Sequence, residues 1–468
     1  MSIIIPANSA VAGGYDVENS CRFDGTAAYL NRTQGTSTNL TKFAWSGWIK
    51  RSKLGADQTV TMNYASASNY GYFYFRSGDD IRIFDRGAGG DTVAISDMLF
   101  RDTSAWYHIA LIIDTTQATD TNRLKLYVNG ILQGLNGVTY PAENAALGWK
   151  VANTSNTFLM RANSADGYVG GYLAEVAYVD GTANAITDFG EFDEDSGIWK
   201  PIDVSGLTFG NEGYYLDFKD SANLGNDVTG GTDFTENSLA AIDQTTDTCT
   251  NNFCTMNSLD AYWSASTFED GNCTIIMPET TNETYTRATM GVNSGKWYWE
   301  ALCTVQNSTM NAGIVDSPAI ATNTELGKRP KGLSWNDSGS LNGNDTQVFN
   351  STQAPAYSTS QIISFAMDLD NNFLYLRLAG SYTNSGNPES GASGTGGAAI
   401  PTNPSSGFYF PAFGDSSTSG GRYQVNFGNS PFAISSGNTD GNDRGNFEYT
   451  VPSGYLALCT KNLSEANS

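Results

Sequence analysis

Two pairs of strongly apolar segments constrain what this chain of 468 residues can fold into. Residues 106–114 are apolar almost throughout, and residues 123–130 follow with alternating apolar side chains that end in Asn-Gly. Residues 295–300 and 363–370 form a second pair of the same character. Such residues favour strands, and Asn-Gly favours a tight hairpin. Neither pair contains a set of catalytic residues. The sequence therefore indicates β-sandwich domains with a binding or structural role.

The length and composition predict the fold class. A chain this long is too large to fold around a single hydrophobic core, so about two to four domains are expected. Only 16% of the residues are charged, and 50 glycines with abundant Asn, Ser and Thr supply the positive-φ positions of turns. We therefore predict an all-β protein of two β-sandwich, jelly-roll-like domains with a connector and extended termini.

Charge and hydropathy exclude several function classes. The net charge of −23 comes without a basic cluster, so no nucleic-acid binding is expected. No run approaches the roughly 18 apolar residues of a membrane span, so no membrane insertion is expected, and residues 1–6 lack the basic start of a secretory signal. The six cysteines are predicted to be free thiols, with a Cys249–Cys254 disulfide left open as the alternative.

The first predicted domain, residues 21–220, alternates short apolar runs with turn signals. Its strand motifs occur in the order Phe23-Asp24-Gly25, Gly47-Trp48-Ile49-Lys50, Trp106-Tyr107-His108-Ile109-Ala110, Leu126-Tyr127-Val128-Asn129-Gly130 and Leu173-Ala174-Glu175-Val176. This order resembles the laminin-G/concanavalin-A-like family, which implies a β-sandwich over most of the domain.

The second predicted domain, residues 263–435, also alternates strand candidates with turns. Its blocks 295–300, 367–370, 409–412 and 425–428 resemble the SPRY family, a bent β-sandwich used for binding. The remaining segments are assigned as an N-terminal arm (1–20), a connector (221–262) and a C-terminal strand and tail (436–468).

Three further segments, 4–10, 247–253 and 452–459, give the whole chain a resemblance to structural or appendage proteins of tailed bacteriophages. This resemblance implies a non-enzymatic virion protein, made in the host cytoplasm, that forms or decorates a tail or head fibre. It further implies a homo-oligomer, with a trimer expected by analogy, that contacts other virion proteins and host surface glycans.

Two other functions stay open: a polysaccharide-degrading enzyme on a concanavalin-like sandwich and a free carbohydrate-binding lectin. The acidic run Glu191, Asp193 and Asp195 partly matches the E-x-D-x-E strand of some concanavalin-like glycosidases, but its third carboxylate does not fit. We therefore predict a solvated loop there. The single histidine, His108, lies in an apolar strand and is predicted to pack rather than to act as a base.

No catalytic or cofactor-binding residue is predicted, but two kinds of binding residue are. Laminin-G-like domains often hold calcium on rim loops, which implies Asp114 and Asp166 as ligands, with solvated turn aspartates as the alternative. Aromatic rings near loops offer sugar platforms, and Tyr70, Tyr72 and Trp335 are the candidates, with core packing as the alternative.

Overall fold

The computed structural model describes residues 14–149, 155–260, 266–279, 283–307, 309–316, 324–415 and 419–465. The chain forms two compact units, the first ending at Thr250 and the second beginning at Asn251. Residues 1–13 of the predicted arm lie outside the described residues. Short 3-10 helices occur at Asp120–Asn122, Ile186–Asp188, Ala241–Asp243, Asp270–Asn272, Leu326–Lys328, Thr383–Ser385 and Pro388–Ser393.

The first unit is built almost entirely of antiparallel strands. They are β1 (Ser20–Asp24), β2 (Tyr29–Thr33), β3 (Lys42–Arg51), β4 (Gln58–Ser66), β5 (Asn69–Phe75), β6 (Ile81–Gly87), β7 (Gly90–Ser96), β8 (Trp106–Asp114), β9 (Leu124–Val128), β10 (Ile131–Leu132), β11 (Leu135–Thr139), β12 (Asn156–Leu159), β13 (Gly170–Asp180), β14 (Gly190–Phe192), β15 (Trp199–Pro201), β16 (Tyr214–Leu216), β17 (Thr235–Asn237) and β18 (Gln244–Thr245).

Two sheets of this unit face each other. Sheet A has the order β10-β9-β8-β3-β13-β1-β18, with β16 beside β13, and sheet B has the order β11-β7-β6-β5-β4-β12-β2-β17. Alternate residues of each strand point inward, so Trp45 of sheet A meets Phe73 of sheet B with ring centroids 4.8 Å apart. The buried side chains between the sheets form one apolar core.

The outer face of sheet A is closed by residues that follow the sandwich strands. Trp199 packs beside His108, and Phe209 and Tyr215 belong to an apolar cluster with residues of β3, β8 and β13. A buried ion pair of 2.7 Å joins Lys50 to Asp247. Residues 221–250, expected to be a connector, therefore complete the first unit, to which they contribute β17 and β18.

The second unit is also a sandwich of strands. They are β19 (Thr267–Glu269), β20 (Thr274–Ile276), β21 (Thr284–Arg287), β22 (Lys296–Val305), β23 (Asn311–Val315), β24 (Leu333–Asn336), β25 (Ser340–Gly343), β26 (Thr346–Phe349), β27 (Ile362–Asp368), β28 (Phe373–Leu378), β29 (Ser381–Tyr382), β30 (Ala398–Ala399), β31 (Phe410–Asp415), β32 (Arg422–Asn426) and β33 (Leu456–Ala457), followed by the helix α1 (Thr460–Glu465).

The sheets of the second unit run β19-β20-β32-β22-β27-β28-β29 and β21-β31-β23-β24-β25-β26. Phe413 and Tyr423 meet between them with centroids 5.1 Å apart. The C-terminal segment covers the outer face of the first of these sheets, where Phe447 packs on Tyr298. The buried Glu300 fixes that segment by accepting two backbone N–H hydrogen bonds of 2.9 Å from residues 448 and 449.

The predicted all-β fold class with two β-sandwich units is confirmed. All six cysteines are free thiols, as expected from their scattered positions. None of the described helices combines the length and hydropathy that crossing a membrane requires.

Candidate functional site: a tyrosine-lined groove

The outer face of sheet B is aromatic, and within the described part of the chain Tyr70 and Tyr72 on this face are half-buried. On β5 the residues Gly71, Phe73 and Phe75 point into the core, so Tyr70, Tyr72 and Tyr74 point outward. Tyr72 pairs with Met62 of β4 and with Phe84 of β6, which places all three side chains on one surface. Strand alternation therefore produces a ladder of tyrosines across the middle of the sheet.

The rings of this tyrosine ladder pack against one another. The centroids of Tyr70 and Tyr72 lie 5.9 Å apart and those of Tyr72 and Tyr74 lie 5.2 Å apart, with the rings within 28° of parallel. Burial and the neighbouring tyrosines raise the pKa of Tyr72, so its hydroxyl stays protonated at neutral pH. The ladder thus offers partly exposed aromatic rings and phenol hydroxyls, the mixture of apolar and polar contact that sugars need.

A hydrogen-bonded loop, residues 160–168, forms the facing wall. Gly167 O accepts a hydrogen bond of 2.7 Å from Thr59 N, and Asp166 O accepts one of 3.0 Å from Ala162 N. Arg161 lies 4.1 Å from the Tyr29 ring centroid and donates to the carbonyl of Ala162 at 2.8 Å. Because the guanidinium is held on both sides, the loop keeps its position beside β4.

The ladder and the loop enclose a groove of about 570 Å³, a volume within the roughly 300–1,000 Å³ typical of ligand clefts. Its lining residues come from β4, β5 and the two flanking loops: Asp57, Thr59, Met62, Tyr70, Tyr72, Tyr74, Ala162, Ser164, Asp166 and Gly167. The carboxylates of Asp57 and Asp166 stand at its exposed rim. Asp57 Oδ1 accepts from Ser77 N at 2.7 Å, and Asp166 Oδ1 accepts from Ser164 Oγ at 2.6 Å.

The structure brings Tyr70, Tyr72 and Asp166 together in this groove, and their ligand roles stay predictions. The prediction for Trp335 is corrected. Its side chain is fully buried in the second unit, its indole N–H donates to the Pro355 carbonyl at 3.0 Å, and its ring packs on Tyr357. A ring enclosed in this way presents no face to a ligand.

The calcium candidate Asp114 is also corrected, because its carboxylate caps a turn at the end of β8. Asp114 Oδ1 accepts from Thr116 N at 3.0 Å and from the Thr116 hydroxyl at 2.6 Å, and Lys42 Nζ lies 3.2 Å from Oδ2. A lysine on the same carboxylate disfavours a second cation there. Among the described residues, no three His, Cys, Asp or Glu side chains gather in a group that could hold a metal ion.

Sequence reasoning missed Asp57 and the loop at 160–168. Asp57 directly precedes β4, whose partner strand β5 carries the tyrosines, so an acidic residue beside an outward aromatic row was the available signal. The loop gave no such signal, because Met160 and Ala165 adopt positive φ values of 66° and 59° that their residue types do not predict.

The other residues weighed for catalysis lie away from the groove. Glu191 and Asp193 form ion pairs of 3.2 and 3.5 Å with Lys200, next to the small sheet of β14 and β15. His108 is buried on the covered face of sheet A, where its Nε2 lies 2.8 Å from the Ser46 hydroxyl, and burial lowers its pKa to about 3. His108 is thus a packed histidine, as the apolar strand predicted.

Comparison with known proteins gives a family similarity for the first unit. Residues 24–185 match the sequence model of the concanavalin A-like lectin/glucanases superfamily, and all the groove residues lie within that match. The similarity suggests carbohydrate binding, and the superfamily includes both lectins and glucanases. No curated protein matches the chain.

Three solved structures are among those similar to this chain. The SPRY domain of human HERC1 is 13% identical, with 36% of this chain and 96% of that chain covered and a TM-score of 0.29. The heptameric SAP-like pentraxin of Limulus polyphemus is 12% identical, with 44% and 94% covered and a TM-score of 0.30. Stonustoxin is 15% identical, with 37% and 27% covered and a TM-score of 0.28. At these identities the similarities carry no information about ligands.

Proposed function

We propose that the first unit binds carbohydrate in the tyrosine-lined groove. The observation that carries this proposal is the contrast between the two outer faces: sheet A is covered, whereas sheet B leaves a tyrosine ladder beside fixed polar groups. Exposed ring surface contacts sugar C–H groups, while phenols and carboxylates bond sugar hydroxyls. The family similarity of residues 24–185 supports the same ligand class.

A glycan array with the full chain tests the proposal. The wild type is expected to bind a subset of glycans, and Tyr72→Ala is expected to lose that binding because the middle ring of the ladder is removed. Tyr127→Ala is the matched control, since Tyr127 is half-buried on β9 of sheet A. Binding that survives Tyr72→Ala and fails in Tyr127→Ala contradicts the groove assignment.

The groove binds without cleavage in this proposal. Glycoside hydrolysis uses two carboxyl groups, of which the acid has a raised pKa. Asp57 and Asp166 both stand exposed at the rim, where Asp57 accepts a hydrogen bond from Ser77 N and Asp166 accepts one from the Ser164 hydroxyl. A glycosidase acid usually lies in an apolar pocket, and neither of these two exposed carboxyl groups does.

Hydrolysis is nevertheless the second candidate function, because Asp57 and Asp166 are two carboxylates lining one groove. Incubation with the glycans that bind, followed by measurement of new reducing ends, separates the two functions. A binding protein releases none. Release that disappears in both Asp57→Asn and Asp166→Asn favours the enzyme.

At the level of the organism, we propose a component of a virion appendage, such as a tail or head fibre, made in the host cytoplasm. This proposal is supported by the resemblance of segments 4–10, 247–253 and 452–459 to structural or appendage proteins of tailed bacteriophages. A homo-oligomer, such as a trimer, presents several grooves to one host surface, and weak sites then combine into strong attachment. Mass spectrometry of purified particles tests this role: presence at stoichiometric amounts is expected, and absence favours a free lectin.

A further inference from the structure

The groove contains negative charge and no positive charge among its lining residues. Asp57 and Asp166 are the lining carboxylates, and the lining contains neither Lys nor Arg. The chain as a whole carries a net charge of −23, which adds a background of the same sign. Any ligand that enters the groove therefore meets a negative potential.

The arginine side chains near the groove form hydrogen bonds or ring contacts with residues outside its lining. Arg86 of β6 holds Asp91 with two hydrogen bonds of 2.8 and 2.6 Å, and Arg161 is held by its own loop. Arg82 pairs in register with Tyr74 and stacks on Phe84 at 5.6 Å from the ring centroid. Arg76, next to the Ser77 backbone that bonds Asp57, is held by Asp80 with two hydrogen bonds of 2.5 and 2.6 Å. None of these four arginines lines the groove.

Each rim carboxylate keeps one oxygen available for a ligand. Asp57 Oδ1 accepts a hydrogen bond from Ser77 N in the turn between β5 and β6, and Asp166 Oδ1 accepts one from the Ser164 hydroxyl of its own loop. The two Oδ2 atoms accept none from another described residue. An ionised carboxylate oxygen accepts hydrogen bonds from a hydroxyl or an ammonium group and has no proton to donate to an anionic sugar. The rim is therefore chemically matched to neutral and amino sugars.

Resting on the proposed carbohydrate function, we infer that Asp57 and Asp166 are specificity-determining residues that select uncharged and amino-bearing glycans and reject anionic ones. A sugar carboxylate about 6 Å from one rim carboxylate in water is disfavoured about threefold, and the two rim carboxylates together give about tenfold. At about 1 M salt the screening length falls to about 3 Å, so the discrimination disappears.

The test compares oligosaccharides of equal length that differ in charge: N-acetylglucosamine, glucosamine and glucuronic acid oligomers. Their affinities for the full chain are measured by calorimetry at low and high salt. The wild type is expected to bind the two non-anionic series about tenfold more tightly than the anionic series at low salt. The double variant Asp57→Asn/Asp166→Asn is expected to bind all three series within about threefold of one another.

Asp195→Asn is the control, because it removes one exposed carboxylate of the first unit outside the groove and is expected to keep the discrimination. Circular dichroism establishes that each variant is folded. The inference is overturned if the wild type binds the anionic series as tightly as the others, or if the double variant still discriminates, and in both cases the proposed carbohydrate function stands. Failure of every glycan to bind instead refutes the proposed function and the inference together.

Discussion

Replacing Glu175 with Gln is expected to remove much of the pH dependence of the first unit's stability. Glu175 lies on β13 at an irregularity in the pairing with β3, with a φ of 50°. Its Oε2 accepts a hydrogen bond of 2.6 Å from the Tyr215 hydroxyl, which lies 3.2 Å from the Tyr15 hydroxyl. Burial raises its pKa from 4.5 to about 7, and the bond from Tyr215 offsets part of that rise.

The magnitude follows from the two pKa values of Glu175. The folded state holds the proton up to about pH 7, whereas the unfolded chain releases it near 4.5. The stability from this group is therefore complete below pH 4.5 and is lost as the pH rises through 7. At about 1.36 kcal/mol per pH unit the full loss is about 3 kcal/mol, most of it between pH 5 and pH 8.

Calorimetric unfolding of the full chain at pH 5 and pH 8 measures this loss. For a unit of this size it corresponds to a shift in Tm of about 5–10 °C. Asp85, whose pKa burial also raises to about 7, acts in the same direction, so the decisive quantity is the difference between wild type and Glu175→Gln. The variant is expected to match the wild type at pH 5 and to be more stable at pH 8.

The matched control is Glu194→Gln, an exposed position in the same unit that is expected to reproduce the wild-type pH dependence. Equal pH dependence in Glu175→Gln and in the wild type refutes the reasoning, because the buried carboxyl then contributes nothing. Tyr215→Phe gives an internal check. Loss of its hydrogen bond is expected to raise the Glu175 pKa further.

Three further changes test the packing of the two units. Gly71→Ala places a Cβ into the Trp149 ring and is expected to cost about 1–3 kcal/mol in calorimetric unfolding; an unchanged Tm contradicts that packing. Lys50→Met removes the cation paired with the buried Asp247 carboxylate and is expected to cost about 3–5 kcal/mol by denaturant titration; a loss below 1 kcal/mol argues against the pair. Glu300→Ala removes the acceptor of two backbone N–H groups, so limited proteolysis is expected to cut the C-terminal segment faster.

Local patterns predicted much of the two sandwiches. The Asn129-Gly130 turn joins β9 to β10 with φ values of 47° and 75°, as the sequence pair predicted, because only a few residue types accept two positive values in succession. The strand that the sequence predicts over 296–304 is β22, which runs from Lys296 to Val305. Both depend on neighbours in sequence, which is why alternation and turn chemistry were sufficient.

The covering segments were not predicted. Residues 221–250 and 436–465 lack long apolar runs, yet Phe234 and Phe447 are buried against sheets that precede them in the chain. Isolated aromatic residues at irregular spacing have no periodicity from which burial can be read. Their partners lie far away in sequence, so only the three-dimensional structure identifies them.

The groove, too, was predicted only in part from the sequence. Alternation along β5 pointed Tyr70 and Tyr72 outward, but nearness to a loop gave no information about the direction of the Trp335 side chain, which is in the core. Asp57 and Asp166 come from loops more than a hundred residues apart. Their meeting at one rim depends on the pairing of β4 with β12, a contact that no local pattern encodes.

A crystal structure of the full chain with an oligosaccharide that it binds tests the central claim most directly. The account predicts the sugar between Tyr72 and Asp166 on the outer face of sheet B, with its hydroxyls on the rim carboxylates. A sugar bound on the second unit, with the groove empty, would contradict it.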